Sequence, residues 1–205
     1  MIEYGNPNSD IILIQPVDDH SIGLIGNEID LIHKYTNKEF KLVAVKVSDW
    51  NKELSPWTAP AVFGREEFGN GASDTLNKIL PICGGKTKRY YVGGYSLAGL
   101  FALWASCQTD IFEGVAAASP SMWFPGFTDY LKDNKPKCNR IYLSLGDRED
   151  KTRNPVMATV GEKMREAYEL LQAQGVDSVL EWNEGNHFKD ADVRTAKAFA
   201  WVMGR

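Results

Sequence analysis

Gly94-Tyr95-Ser96-Leu97-Ala98-Gly99 follows the apolar run Tyr90-Tyr91-Val92-Gly93 and leads directly into Leu100-Phe101-Ala102-Leu103-Trp104-Ala105. A β-type run, a tight turn and an apolar helical stretch therefore meet at one serine. A strand-to-helix corner this abrupt strains the backbone at its tip. It also requires small residues two before and two after the tip, so that the two segments can pass. Gly94 meets that requirement, and Ala98 meets it with one methyl group more than the usual Gly-x-Ser-x-Gly pattern. A hydroxyl raised on such a corner is a candidate nucleophile. The competing reading is a Gly-rich strand end whose Ser96 caps the next helix.

Outward from this corner, short β-rich runs alternate with segments of helical period. Residues 11–15, 42–47, 90–93, 115–118, 141–145 and 179–182 are the expected strands, and their near-continuous apolar character predicts a sheet covered on both faces. Ile22, Ile25, Ile29 and Ile32 share one helical face; so do Val156, Val160, Met164, Ala167 and Leu171, in a helix opening at Asn154-Pro155 and stopping at Gly175. A last helix over 190–203 closes the alternation. The pattern predicts one α/β domain over residues 1–205, with three α/β/α layers and a mostly parallel sheet of six strands or slightly more. At 205 residues such a chain hides about 70% of its unfolded surface, enough for one core.

Two long stretches, 48–72 and 119–137, lack periodicity and follow strands at their carboxyl ends, where open α/β sheets bind ligands. Both are aromatic: Trp50, Trp57, Phe63 and Phe68 in the first, Trp123, Phe124 and Phe127 in the second. They are expected to line a pocket or to cover the sheet edge.

Charge excludes several function classes. With 23 basic and 27 acidic residues the net charge is -4, and no block of like charges offers nucleic acid or an anionic membrane a handle. The first ten residues lack the pattern of a secretory signal, and no run reaches membrane-span length, so the expectation is a cytoplasmic protein with small-molecule partners. Cys83, Cys107 and Cys138 are widely spaced and have no His at ligand spacing, which predicts free thiols rather than a disulfide frame or a metal site.

A serine hydroxyl needs a base within hydrogen-bonding reach, and the base needs a partner that fixes its tautomer. Of three histidines, His33 reads as a surface group near a helix end and His20 as a helix-start residue near the pocket mouth. His187, in the turn Glu184-Gly185-Asn186-His187-Phe188 after the last strand, is the expected base. The acid should follow the strand at 141–145, where Asp147, Glu149 and Asp150 stand together. Glu149 is preferred because Gly146 lets the chain turn before the acid points back; Asp150 and Asp147 remain alternatives. Backbone N–H groups of Leu97, at the helix start, and of Val17, after the first strand, are the expected oxyanion donors.

These residues resemble the esterase D-like branch of the α/β-hydrolase superfamily. The resemblance is carried by residues 94–99, the acidic turn at 146–150, His187, and Ala118-Ser119-Pro120-Ser121-Met122-Trp123. It implies cleavage of a small carboxylic ester or thioester without metal or cofactor. It also implies an α/β-hydrolase fold with a minimal cap, lacking the first two strands of larger members. By the same resemblance Ser119, Met122 and Trp123 would wall the substrate pocket, with Trp57 and Trp50 standing in for a cap. A thioesterase or acyltransferase on the same residues, and a binding protein that kept the scaffold, are the alternatives.

Overall fold

A computed structural model of the chain describes residues 1–85 and 87–204. The elements are β1 (Ile2–Gly5), β2 (Ile11–Val17), α1 (Asp19–Ile22), α2 (Ile25–Tyr35), β3 (Lys41–Lys46), α3 (Trp50–Glu53), α4 (Ala72–Ile79), β4 (Arg89–Tyr95) and α5 (Leu97–Gln108). They continue through β5 (Phe112–Ala118), α6 (Phe127–Asp133), β6 (Arg140–Gly146), α7 (Val160–Ala173), β7 (Asp177–Asn183) and α8 (Ala191–Val202). One seven-stranded sheet has the order β1-β3-β2-β4-β5-β6-β7. Every neighbouring pair is parallel except β1 with β3.

All six expected strands are present, and β1 is an addition. Its Ile2 and Glu3 are exposed, so this edge strand lacks the apolar run that marks the others. It pairs antiparallel with β3 at the edge of the sheet. The expected first helix is split: α1 ends at Ile22, the Gly23 N–H bonds back to the His20 carbonyl, and α2 restarts at Ile25. At Asn154 the side-chain oxygen accepts from the Val156 and Met157 N–H groups, so a 3₁₀ turn over Met157–Thr159 precedes α7.

Helices cover both faces. Helix α5 is buried from Leu97 to Cys107, which explains its unbroken apolar sequence, and it shares one core with α4, α6 and α7. On the other face α2 and α8 pack over Leu13, Tyr91 and Ala116, through Ile25, Ile32, Ala196 and Phe199. The two aromatic stretches are more ordered than their lack of period suggests, since they hold α3 and α6. Phe68, Trp123, Phe124 and Phe127 are buried in the α5 core, their rings packed against one another and against Trp57 and Phe63. All three cysteines are free and buried, and burial pushes the Cys83 thiol up to about 12. No helix among the described residues is long and apolar enough to cross a membrane.

Candidate active site

Strand β4 lies at the centre of the sheet, and Ser96 sits where it turns into α5. Its backbone is at φ 57°, ψ -122°, a conformation that L-residues avoid. The corner closes because Gly94, at φ 156°, has no side chain: a Cβ there would stand 2.7 Å from the Ala98 Cβ. The methyl group by which Ala98 departs from the usual pattern occupies the space that Gly94 leaves.

The β6–β7 end of the sheet delivers the other two groups. His187 Nε2 lies 3.0 Å from Ser96 Oγ, and His187 Nδ1 lies 2.7 Å from Glu149 Oε2. Burial pushes the Glu149 carboxyl up, but hydrogen bonding and charge at His187, with bonds from the Gly146 N–H and Ser119, outweigh it and hold the group below the ordinary glutamate value. An ionised carboxylate only accepts, so the neutral imidazole carries its proton on Nδ1 and presents a free Nε2 lone pair to the Ser96 hydroxyl. The structure thus brings Ser96, His187 and Glu149 into one hydrogen-bonded line. Asp147 turns elsewhere and accepts from the Gly185 N–H at 2.8 Å, tying the turn after β6 to the turn after β7. Asp150 pairs with Lys151 on the surface.

Three further residues support this line, and sequence reasoning did not single out two of them. Arg194, 1% exposed on α8, donates from Nη1 to Glu149 Oε1 at 2.7 Å, and also to the Tyr95 and Ser119 hydroxyls at 3.1 Å each. From Nη2 it donates to the Glu184 and Asn186 carbonyls, so one guanidinium pins the turn that carries His187. The Tyr95 hydroxyl donates to the His187 carbonyl at 2.7 Å and stays neutral, because burial pushes it up to about 12. Gly146 makes room for Arg194, since a Cβ there would meet the guanidinium at 3.0 Å and the Gly185 carbonyl at 2.3 Å. The signal for Arg194 was an arginine inside a helix whose other inward residues are Ala, Thr and Phe.

The third is Ser119, and here an expectation changes. Ser119 is fully buried and donates to Glu149 Oε1 at 2.8 Å, while Ser121 Oγ lies 3.2 Å from Ser96 Oγ. The Ser119-Pro120-Ser121 segment therefore braces both ends of the line rather than walling a pocket. A cavity of about 550 Å³ opens beside Ser96 and His187 on the opposite side, bounded by the end of β2, by α1 and α2, and by the start of α8. Trp50 and His20 line it; Ser119, Met122, Trp123 and Trp57 do not. Met122 and Trp123 are buried in the α5 core, and Trp57 stacks against Phe127 and donates to the Pro125 carbonyl. Aromatic rings in those loops satisfy one another, which removes them from the cavity. His33 is exposed beside Phe40.

Leu97 is the first residue of α5, where a helix N–H has no intrahelical acceptor. Val17 ends β2 with its side chain fully buried and its carbonyl accepting from Val47; its neighbours Pro16 and Asp18 line the cavity, and Val17 itself does not. Among the described residues no cluster of three His, Cys, Asp or Glu side chains could hold a metal ion.

The fold as a whole recurs in solved structures. An IroE-like serine hydrolase from Shewanella oneidensis superposes with a TM-score of 0.75 over 97% of this chain and 73% of its own, at 12% identity. The fold is that of an α/β-hydrolase. Other solved structures of the same fold include the siderophore hydrolase EstA from Aspergillus nidulans, with a TM-score of 0.66 at 19% identity over 97% of this chain and 84% of its own. The enterobactin esterase FES from Shigella flexneri gives 0.67 at 16% identity, and this chain covers 54% of its length. In sequence, the chain is 21% identical to the uncharacterised protein YbbA of Bacillus subtilis over 206 aligned residues, covering 89% of this chain and 82% of that one. No protein-family model matches it.

Proposed function

We propose that the protein is a serine hydrolase that cleaves a small carboxylic ester through an acyl-enzyme on Ser96. The observation that carries this reading is the unbroken path Ser96 Oγ to His187 Nε2 at 3.0 Å and His187 Nδ1 to Glu149 Oε2 at 2.7 Å. As Ser96 Oγ attacks the ester carbonyl, its proton passes to Nε2, and the imidazolium that forms is stabilised by Glu149. The oxygen of the tetrahedral intermediate takes a hydrogen bond from the Leu97 N–H, aided by the α5 dipole. Nε2 then returns the proton to the leaving alcohol. Water, deprotonated by the same nitrogen, attacks the acyl-enzyme and restores Ser96. The similarity in shape to proteins described as a siderophore hydrolase and an enterobactin esterase supports ester chemistry on this scaffold.

The test is a fluorophosphonate probe followed by mass mapping. Labelling of Ser96 that vanishes in Ser96→Ala is the expected result. Labelling on no serine, or labelling that survives in Ser96→Ala, would overturn the reading.

A further inference from the structure

The cavity beside Ser96 is acidic to an extent that the catalytic line does not need. Asp18 at the end of β2, Glu28 on α2, and Asp190 and Asp192 at the start of α8 all line it, and among the described residues no Lys or Arg does. The only other titratable groups that could carry positive charge in its wall are His20 and His187. None of the four carboxyl groups takes part in an ion pair among the described residues, although the chain pairs many of its other acids, such as Glu3, Asp49, Glu53 and Glu181. The side-chain hydrogen bonds they do make are to neutral groups: Asp18 accepts from the Ser21 N–H, Asp192 from the Val193 N–H and the Asn27 amide, and Glu28 from the Gln15 amide.

A second observation is independent of this acidity. Glu28 and Gln15 are 3% and 4% exposed, and they share one hydrogen bond, from Gln15 Nε2 to Glu28 Oε2 at 3.2 Å. Their remaining oxygens, Glu28 Oε1 and Gln15 Oε1, are buried without a partner, in two side chains that both line the cavity. Buried acceptors left unpaired are costly, and a site that keeps two of them beside its own cavity is built to meet a donor. The remaining wall suits the apolar flank of such a ligand: Trp50, Tyr95 and Leu24 line it, and Phe188, 91% exposed, stands at its lip next to His187.

We propose that this cavity selects an ester carrying a cationic ammonium group that keeps an N–H, held among the carboxylates of Asp18, Asp190 and Asp192 with its N–H directed at Glu28 and Gln15, and with the scissile carbonyl at Ser96. The inference rests on the reading of Ser96 as the nucleophile. Opposite charges a few ångströms apart in a partly desolvated cavity attract strongly, whereas an ester bearing a carboxylate is repelled by the same groups. The aromatic side chains add a favourable surface for the alkyl groups of that ammonium.

The experiment compares kcat/KM at low ionic strength across isosteric substrates differing only in charge. S-[2-(dimethylammonio)ethyl] thioacetate is set against S-(3-methylbutyl) thioacetate for charge in the leaving group. The 4-nitrophenyl ester of 6-(dimethylammonio)hexanoate is set against that of 7-methyloctanoate for charge in the acyl group. 4-Nitrophenyl acetate reports the basal hydrolase. In at least one pair the cationic member is expected to be preferred by about fivefold or more, a preference that shrinks with added salt and in the Asp190→Asn/Asp192→Asn double variant. Smaller ratios in both pairs, with 4-nitrophenyl acetate still cleaved in a Ser96-dependent way, would overturn this inference and leave the hydrolase reading standing. No turnover of any substrate, together with no labelling of Ser96, would overturn both.

Discussion

Arg194 Nη1 sits 2.7 Å from Glu149 Oε1, on the oxygen opposite the one that faces His187. The acid of the proposed catalytic line is therefore held between an imidazole and a guanidinium, with the arginine side chain 1% and the glutamate side chain 3% exposed. A buried carboxylate with only the histidine beside it would face a large desolvation cost; the arginine offsets that cost and also anchors the histidine turn.

Replacing Arg194 by Met should thus act on stability and on chemistry together. Loss of one partner from a buried pair costs about 3–5 kcal/mol, read as a lower urea midpoint. The uncompensated Glu149 should also hold its proton to higher pH, so the acid limb of the kcat/KM profile moves upward, and Arg194→Lys restores part of that displacement. A purely structural role would lower the urea midpoint and leave the pH profile in place.

The three carboxylates after β6 should separate cleanly. Glu149→Gln removes the acceptor that holds the proton on Nδ1, and the loss in kcat/KM for 4-nitrophenyl acetate is expected to be on the order of 10⁴. Asp147→Asn and Asp150→Asn should keep most of the activity, because neither carboxylate reaches His187. Greater sensitivity at Asp147 or Asp150 than at Glu149 would count against the assignment.

Glu28 makes stability depend on pH in a direction opposite to most carboxylates. Burial, opposed in part by the Gln15 hydrogen bond and reinforced by Asp192, raises it from 4.5 to about 8. Between those values the native state binds the extra proton and the unfolded chain does not, so this group's contribution to stability falls as pH rises from about 4.5 to about 8. Glu28→Gln should remove that slope. The variant is expected to gain on the wild type between pH 5 and pH 8, by an amount on the order of a few kcal/mol. Urea unfolding at the two pH values checks it; a constant difference would contradict the burial argument.

The serine corner should show steric coupling. Gly94→Ala places a methyl group 2.7 Å from the Ala98 Cβ and at φ 156°, at a cost of about 1–3 kcal/mol. Adding Ala98→Gly relieves the clash but not the backbone strain. The double variant should therefore be more stable than the two single effects predict, a non-additivity that thermal or urea unfolding can measure.

Much of this molecule was legible in local sequence. The strand-corner-helix reading at Ser96, the alternation of strands and helices, and the position of His187 after the last strand all follow from patterns a few residues long. Backbone sterics and the burial of apolar faces act at that range. The edge strand β1 escaped because its Ile2 and Glu3 are exposed and no apolar run marks it. Helix α1 separates from α2 over Gly23 and Leu24, a two-residue break that the shared isoleucine face conceals.

Which carboxylate meets His187, why Ser119 is a brace rather than a pocket wall, and that Arg194 holds the acid were decided only in three dimensions. Arg194 and Glu149 are 45 residues apart, and Ser119 and Arg194 are 75 apart. Their meeting depends on the register of β5, β6 and β7 and on how α8 returns across the sheet. The same holds for the cavity, whose wall combines β2, α2 and α8. Short-range periodicity records which face of an element is buried, but not which distant element will cover it. The charges that end up facing one another are therefore a property of the packed sheet and its helices.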